Sequence, residues 1–224
     1  NAALNAGTGH SDNVAVDTAP PVPSITLDAA ITADDIINAT EAGQPIPVTG
    51  HVGGDAKAGD TVTLTVNGKP FTGTVAADLT FSINVPGSDL AADPDRVIDA
   101  SVTTTDAAGN PASATDTEGY SVNLSAPSVL VDILDPALNV ADKVSTVTFT
   151  FSEAPVGFTA ADITAVGGTV SGLTATANPL VYTATYTAND GFTGTGSVSV
   201  TAGSYTNAAL NAGTGHSDNV AVDT

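Results

Sequence analysis

The chain has 224 residues, 42% of them hydrophobic and 4% aromatic, with no Cys, Met or Trp. That length admits one large domain or two of about 100 residues each, with cores of Val, Ile, Leu, Ala and a few Phe. Lys+Arg number 4 against 24 Asp+Glu, a formal charge of −20, which argues against nucleic acid and anionic membrane surfaces as partners, since both need basic counter-charge. The absence of Cys excludes disulfides, thiolate metal sites and cysteine nucleophiles together. No run approaches the roughly 18 consecutive apolar residues of a membrane span, so no membrane insertion is expected. An acidic chain without disulfides needs another staple, and hard divalent cations would serve.

Residues 1–18, NAALNAGTGHSDNVAVDT, recur without a change as residues 207–224. This identity predicts a parent protein that repeats a unit of this length, with neighbouring repeats of the same chain as partners. Asn1 opens neither a charged n-region nor an apolar h-region, so the chain reads as a piece of something longer. An internal echo relates Thr105-Asp106-Ala107-Ala108-Gly109-Asn110 to Thr206-Asn207-Ala208-Ala209-Leu210-Asn211. Pro-containing joints stand at Asp17-Thr18-Ala19-Pro20-Pro21 and Asn123-Leu124-Ser125-Ala126-Pro127. The expected division is a terminal strand of a preceding copy at 1–18, a first domain at 19–125 and a second at 126–224. Left alone, the Val14-Ala15-Val16 edge is a pairing hazard. It predicts self-association by strand exchange, with residues 1–18 replacing 207–224 in a neighbouring molecule.

Along the chain, period-two alternation dominates. Thr61-Val62-Thr63-Leu64-Thr65-Val66 places apolar side chains on one face and threonines on the other. Asn67-Gly68 follows at once, a type I′ hairpin signal because both residues tolerate positive φ. Phe81, Ile83 and Val85 alternate next, then Val147, Phe149 and Phe151, then Val198 and Val200. Gly (22) and Pro (13) punctuate the chain at the spacing of a β-sandwich. Helical turns are expected only within Thr32–Ala42 and Ser88–Asp95. The fold class is all-β, with two tandem immunoglobulin-like β-sandwich domains.

Asp34-Asp35-Ile36-Ile37-Asn38-Ala39-Thr40-Glu41-Ala42, Gly59-Asp60-Thr61-Val62 and Thr105–Asn110 resemble the signature of bacterial Ig-like repeats in very large surface adhesins. Residues 19–125 are similar to the calcium-stabilised extender repeats of repeats-in-toxin (RTX) biofilm adhesins. Residues 126–224 resemble a divergent bacterial Ig-like domain through Thr148–Glu153 and Phe158–Ile163, although Asn207 and Leu210 stand where that family usually has Asp and Gly. The resemblance implies an extracellular extender on a bacterial cell surface. Its Ca2+ would stiffen the joints, and it would project a distal ligand-binding domain for adhesion and biofilm formation.

Calcium takes six to eight oxygens, and Asp34, Asp35, Asn38 and Glu41 bring four oxygen-bearing side chains into eight residues. EF-hand spacing is absent, so a site must be assembled from more than one loop. Ig topology suggests that Asp34–Glu41 faces loops of the second domain carrying Glu153, Asp162, Asn207 and Asn211. At the opposite pole of the first domain, Asp106 and Asn110 would lie near Asp55, Asp60 and Asp17. The expected metal ligands are Asp17, Asp34, Asp35, Asn38, Glu41, Asp106, Asn110, Glu153 and Asp162. Acidic loops also keep a surface soluble, and Asp106 is equally suited to an Asx turn.

Catalysis has little to work with. His10, His51 and His216 sit in no metalloprotease pattern and read as surface loop residues. Asp93 and Asp95 read as solvated charge rather than an acid/base pair. Threonine ladders at 61–65, 146–150 and 183–187 are ordinary solvent-side strand residues on a twisted sheet. The competing reading is a carbohydrate- or protein-binding β-sandwich, disfavoured because Tyr120, Tyr182, Tyr186 and Tyr205 are scattered and Trp is absent.

Overall fold

The structure, a computed structural model, describes residues 16–224. Most of the leading segment therefore lies outside the described residues, including His10 and the Val14-Ala15 part of the edge expected to exchange strands. Among the described residues the chain is all-β except for one short helix, α1 (Gly87–Ala92), and two 3-10 turns, Glu41–Gly43 and Ala160–Asp162. The first two of these elements overlap the expected helical ranges, each running one residue outside them, and the third was not legible in the sequence. No helix among the described residues is long and apolar enough to cross a membrane.

The strands of the first half are β1 (Pro23–Leu27), β2 (Ile36–Ile37), β3 (Pro45–Gly54), β4 (Thr61–Val66) and β5 (Lys69–Thr74). They continue with β6 (Thr80–Pro86), β7 (Val97–Thr105), β8 (Pro111–Gly119) and β9 (Ser121–Val122). One compact unit comprises residues 16–29, Pro47–Asn84 and Val97–Glu118. Its sheets run β1-β3-β6 and β5-β4-β7-β8. Alternation buries Val62, Leu64 and Val66 on β4, and Phe81 and Ile83 on β6. The β4–β5 hairpin closes as expected, with Val66 opposite Lys69 and positive φ at both Asn67 (51°) and Gly68 (69°). Along β1, the Leu27 N–H finds a side chain instead of a neighbouring backbone and donates to Asp116 Oδ2 at 2.8 Å.

The second half adds β10 (Val129–Ile133), β11 (Ala137–Asn139), β12 (Val144–Phe151) and β13 (Ile163–Val166). It ends with β14 (Gly168–Ala175), β15 (Val181–Ala188), β16 (Thr193–Val200) and β17 (His216–Asp223). Ala30–Ile46, Val85–Arg96 and Gly119–Thr224 form the other compact unit. Its two larger sheets are β10-β12-β15-β14 and β11-β17-β16-β13, with Val131, Val147, Phe149, Tyr186, Val198 and Val220 in their core. Phe149, Phe151, Phe158, Tyr182 and Tyr205 form one ring cluster in this unit. The Phe151 ring meets Phe158 at 4.9 Å and Tyr205 at 5.0 Å, both edge-on, an arrangement that favours ring quadrupoles. Two pairings run parallel, β11 with β17 and β2 with β9.

Within the same unit, α1 packs on the Glu41–Gly43 turn, and its first residue allows nothing larger than hydrogen. A Cβ on Gly87 would stand 2.0 Å from the Glu41 carbonyl oxygen. The backbone is fastened there by Gly87 N–H donating to Gln44 O at 2.8 Å. This contact fixes the segment that carries Asn38 and Glu41.

Candidate functional site

The loop Asn207–Asn211 is a buried, densely hydrogen-bonded polar feature. Asn207 and Asn211 are 1% and 3% exposed, so each amide must find partners or incur a desolvation cost of about 1–3 kcal/mol. Asn207 Oδ1 accepts the Asn211 backbone N–H at 3.0 Å, which fixes the rotation of its amide. Its Nδ2 consequently faces two oxygens, Ser125 O and Glu153 Oε2, each at 3.1 Å. Asn211 is oriented in the same way. Its Oδ1 accepts the Ala39 N–H at 2.8 Å, and its Nδ2 donates to Asn123 O at 2.8 Å.

Loop Asp106–Asn110 repeats this backbone with different chemistry. Asp106 N–H donates to Asn110 O at 3.1 Å, as Asn207 N–H does to Asn211 O at 3.1 Å. Asp106 Oδ1 accepts the Asn110 N–H at 2.8 Å and the Ala108 N–H at 2.9 Å, the Asx turn that competes with ligation. Asn110 Nδ2 donates to Asp106 Oδ2 at 2.8 Å and to Asp17 O at 3.1 Å. The joints match as well: Asp17 Oδ1 accepts Ala19 N–H and Asn123 Oδ1 accepts Ser125 N–H, both at 3.0 Å. Hydrogen bonding, foremost from the Asn110 side chain, holds the Asp106 carboxyl below its ordinary value of 3.8.

Asp17, Asp55 and Asp106 line one cleft of about 410 Å³, together with Pro20, Pro21 and Lys57. Asp55 Oδ2 accepts the Val22 N–H at 2.7 Å. The Lys57 ammonium reaches into this region and donates to Thr105 O. Asp60 Oδ2 accepts the backbone N–H of Lys57, a residue of this cleft, at 2.7 Å. The donor set of the cleft, three carboxylates with backbone carbonyls, has the chemistry of a hard cation's shell. Among the described residues, however, no three His, Asp or Glu side chains converge on a point.

The remaining expected ligands are placed as follows. Asp34 Oδ1 accepts the Ile36 N–H at 3.2 Å and Asp35 Oδ1 accepts the Ile31 N–H at 3.2 Å. Asn38 Oδ1 accepts the N–H groups of Thr40 and Glu41 at 2.9 Å, and Glu41 Oε2 accepts the Asn38 N–H at 3.1 Å. This reciprocity follows capping-box logic at the start of the 3-10 turn. Asp162 closes its own capping box, accepting from Thr159 N–H at 2.6 Å. Thus the expected meeting of Asp34–Glu41 with the 207–211 loop occurs through the Ala39 backbone and not through carboxylates. Asn123, Ser125 and Lys57 were missed; the Asx-turn spacing of Asn123 and Ser125 was the available signal. His216 is exposed but lies on β17 rather than in a loop, and its Nδ1 accepts the Val131 N–H at 3.1 Å.

A bacterial Ig-like domain is what these sheets and loops define, and the family model of that description matches residues 123–224. The chain belongs to the bacterial Ig-like domains. It is similar to a bacterial immunoglobulin-like domain from the M. primoryensis ice-binding adhesin, with 45% identity over 46% of this chain and 97% of that one, TM-score 0.41. A structure concerned with cell-surface retention of a 1.5-MDa bacterial ice-binding adhesin matches at 32% identity over 90% of this chain, TM-score 0.61. A structure of a Ca2+-stabilized adhesin of an Antarctic bacterium matches at 30% identity over 93%, TM-score 0.66. The chain spans 64% and 50% of the length of these last two. No match was found among the curated proteins. Domains of this kind are structural modules and not enzymes.

Proposed function

We propose that the chain is a two-domain piece, divided at 19–125 and 126–224, of the stalk of a large bacterial surface adhesin. Residues 1–18, identical in sequence to 207–224, belong to a preceding copy. The work is mechanical: repeats extend a distal binding domain from the cell for adhesion and biofilm formation. The observation that carries this reading is the unchanged recurrence of residues 1–18 as 207–224, because a unit repeated end to end makes a rod. Likeness to the Ca2+-stabilized adhesin supports it.

Calcium would be held at the Asp17, Asp55 and Asp106 cleft, with Asn110 ordering the loop. A bound cation would neutralise the carboxylates that share this cleft and otherwise repel. Asp106 and Asn110 hold the loop's shape, and Asp17 fixes the direction of the arriving chain. Small-angle scattering with calcium and with EGTA tests the reading. Chelation is expected to increase flexibility and lower the melting temperature, since a ligand of the folded state stabilises it. Identical profiles and melting temperatures would sink it.

A further inference from the structure

We propose that the joint at residues 123–127 is fastened by the Asn207 and Asn211 amides in the place where an acidic loop would need a cation, so that this joint keeps its order without metal. The proposal rests on the extender reading but parts from its calcium requirement at one position. A cation shell needs oxygens turned inward. Here the inward atoms include two N–H2 groups. Asn207 Nδ2 already answers Ser125 O and Glu153 Oε2 at 3.1 Å, and Asn211 Nδ2 answers Asn123 O at 2.8 Å.

Neither amide can be reversed without loss. Turning Asn207 would set its Nδ2 against the Asn211 N–H, and turning Asn211 would set its Nδ2 against the Ala39 N–H. Both are donor-to-donor contacts in a site where the side chains are 1% and 3% exposed. Among the described residues, Glu153 is the carboxylate hydrogen-bonded to Asn207, and Asp162 Oδ2 accepts from Thr159 instead. The equivalent loop differs at the decisive atom. Asp106 Oδ2 stands where Asn207 has Nδ2, and two further carboxylates share its cleft. One backbone scaffold thus serves two chemistries, an amide clamp at one joint and an acidic cleft at the other.

Amide hydrogen exchange by NMR on the full chain, in calcium and in EGTA, tests this. In the wild type, protection of the Ala39 and Asn211 backbone amides is expected to stay within about twofold between the two conditions. In Asn207→Asp, the aspartate faces Glu153 and Ser125 O, so protection at both amides should fall tenfold or more in EGTA and return with calcium. The Phe149 amide in the core is the control for global unfolding. A wild-type loss of tenfold or more at Ala39 and Asn211 in EGTA overturns the proposal, as does an Asn207→Asp chain that stays protected in EGTA. Ala108 and Asn110 report separately on the acidic cleft: if they ignore EGTA the calcium reading fails while the clamp stands.

Discussion

The Tyr120 hydroxyl donates to Leu90 O at 2.8 Å and lies 3.3 Å from Asp93 Oδ2, tying the strand that leaves Gly119 to helix α1. Tyr120 is 7% exposed, and Asp93, expected from the sequence as solvated charge, is itself buried at 5%. Burial first, and the Asp93 carboxylate second, push its phenol far above its ordinary 10.0.

The sign of the pH effect follows. The folded state favours the protonated phenol, so its stability contribution is complete below the ordinary tyrosine value and is lost as pH rises beyond it. Urea midpoints are expected to hold from pH 8 to 9.5 and to fall steeply above about pH 10. Tyr120→Phe should cost about 1 kcal/mol at pH 8 and flatten part of the alkaline fall. An unchanged alkaline slope in this variant would place the effect on Tyr186 and Tyr205, whose phenols burial also raises.

At the acid end, Asp106 has the opposite sign. Its depressed carboxyl favours the ionised form in the fold, so its contribution is present above its ordinary 3.8 and disappears as pH falls through the lower folded value. Asn110→Ala removes the largest cause of the depression. Carboxyl NMR titration is then expected to move the Asp106 midpoint up toward 3.8; an unmoved midpoint would assign the depression to the backbone N–H groups alone.

Leu210 occupies left-handed backbone, φ 62°, at the position where the matching loop has Gly109 at φ 90°. A side chain there costs roughly 1–2 kcal/mol, partly offset because glycine gives the unfolded chain more freedom. Leu210 is 55% exposed and leaves no cavity when removed. Leu210→Gly is expected to stabilise by up to about 1 kcal/mol, read as a higher urea midpoint. A lower midpoint would mean that the exposed leucine packs productively.

Much of the fold was legible because its signals are local. The alternation of Thr61–Val66 and the Asn67-Gly68 turn each sit inside one stretch of chain, and the sandwich follows from their repetition. Ile36 and Ile37 were not legible as a strand, since two residues show no period and their partners, Ser121 and Val122, lie far along the sequence. The site was legible as residue types but not as directions. Asp34, Asp35, Glu41 and Asp162 look like ligands in sequence, and each has an oxygen accepting a neighbouring N–H, as Asp17, Asp55 and Asp106 also do. Residue type alone therefore did not give the direction of the remaining oxygens. Asn211 meets Ala39 across 172 positions, and which end of its amide is oxygen follows only from that meeting.

The parallel pairing of β11 with β17, Ala137–Asn139 beside Ala221–Asp223, bears on how tension passes through the module. The two strands lie near opposite ends of one sandwich's chain and point the same way, so pulling on those ends slides them past one another. Hydrogen bonds loaded along the strand axis share the strain and part together, whereas those of a hairpin pulled from its open end fail one after another. A short pairing placed here therefore resists stretching more than its length suggests.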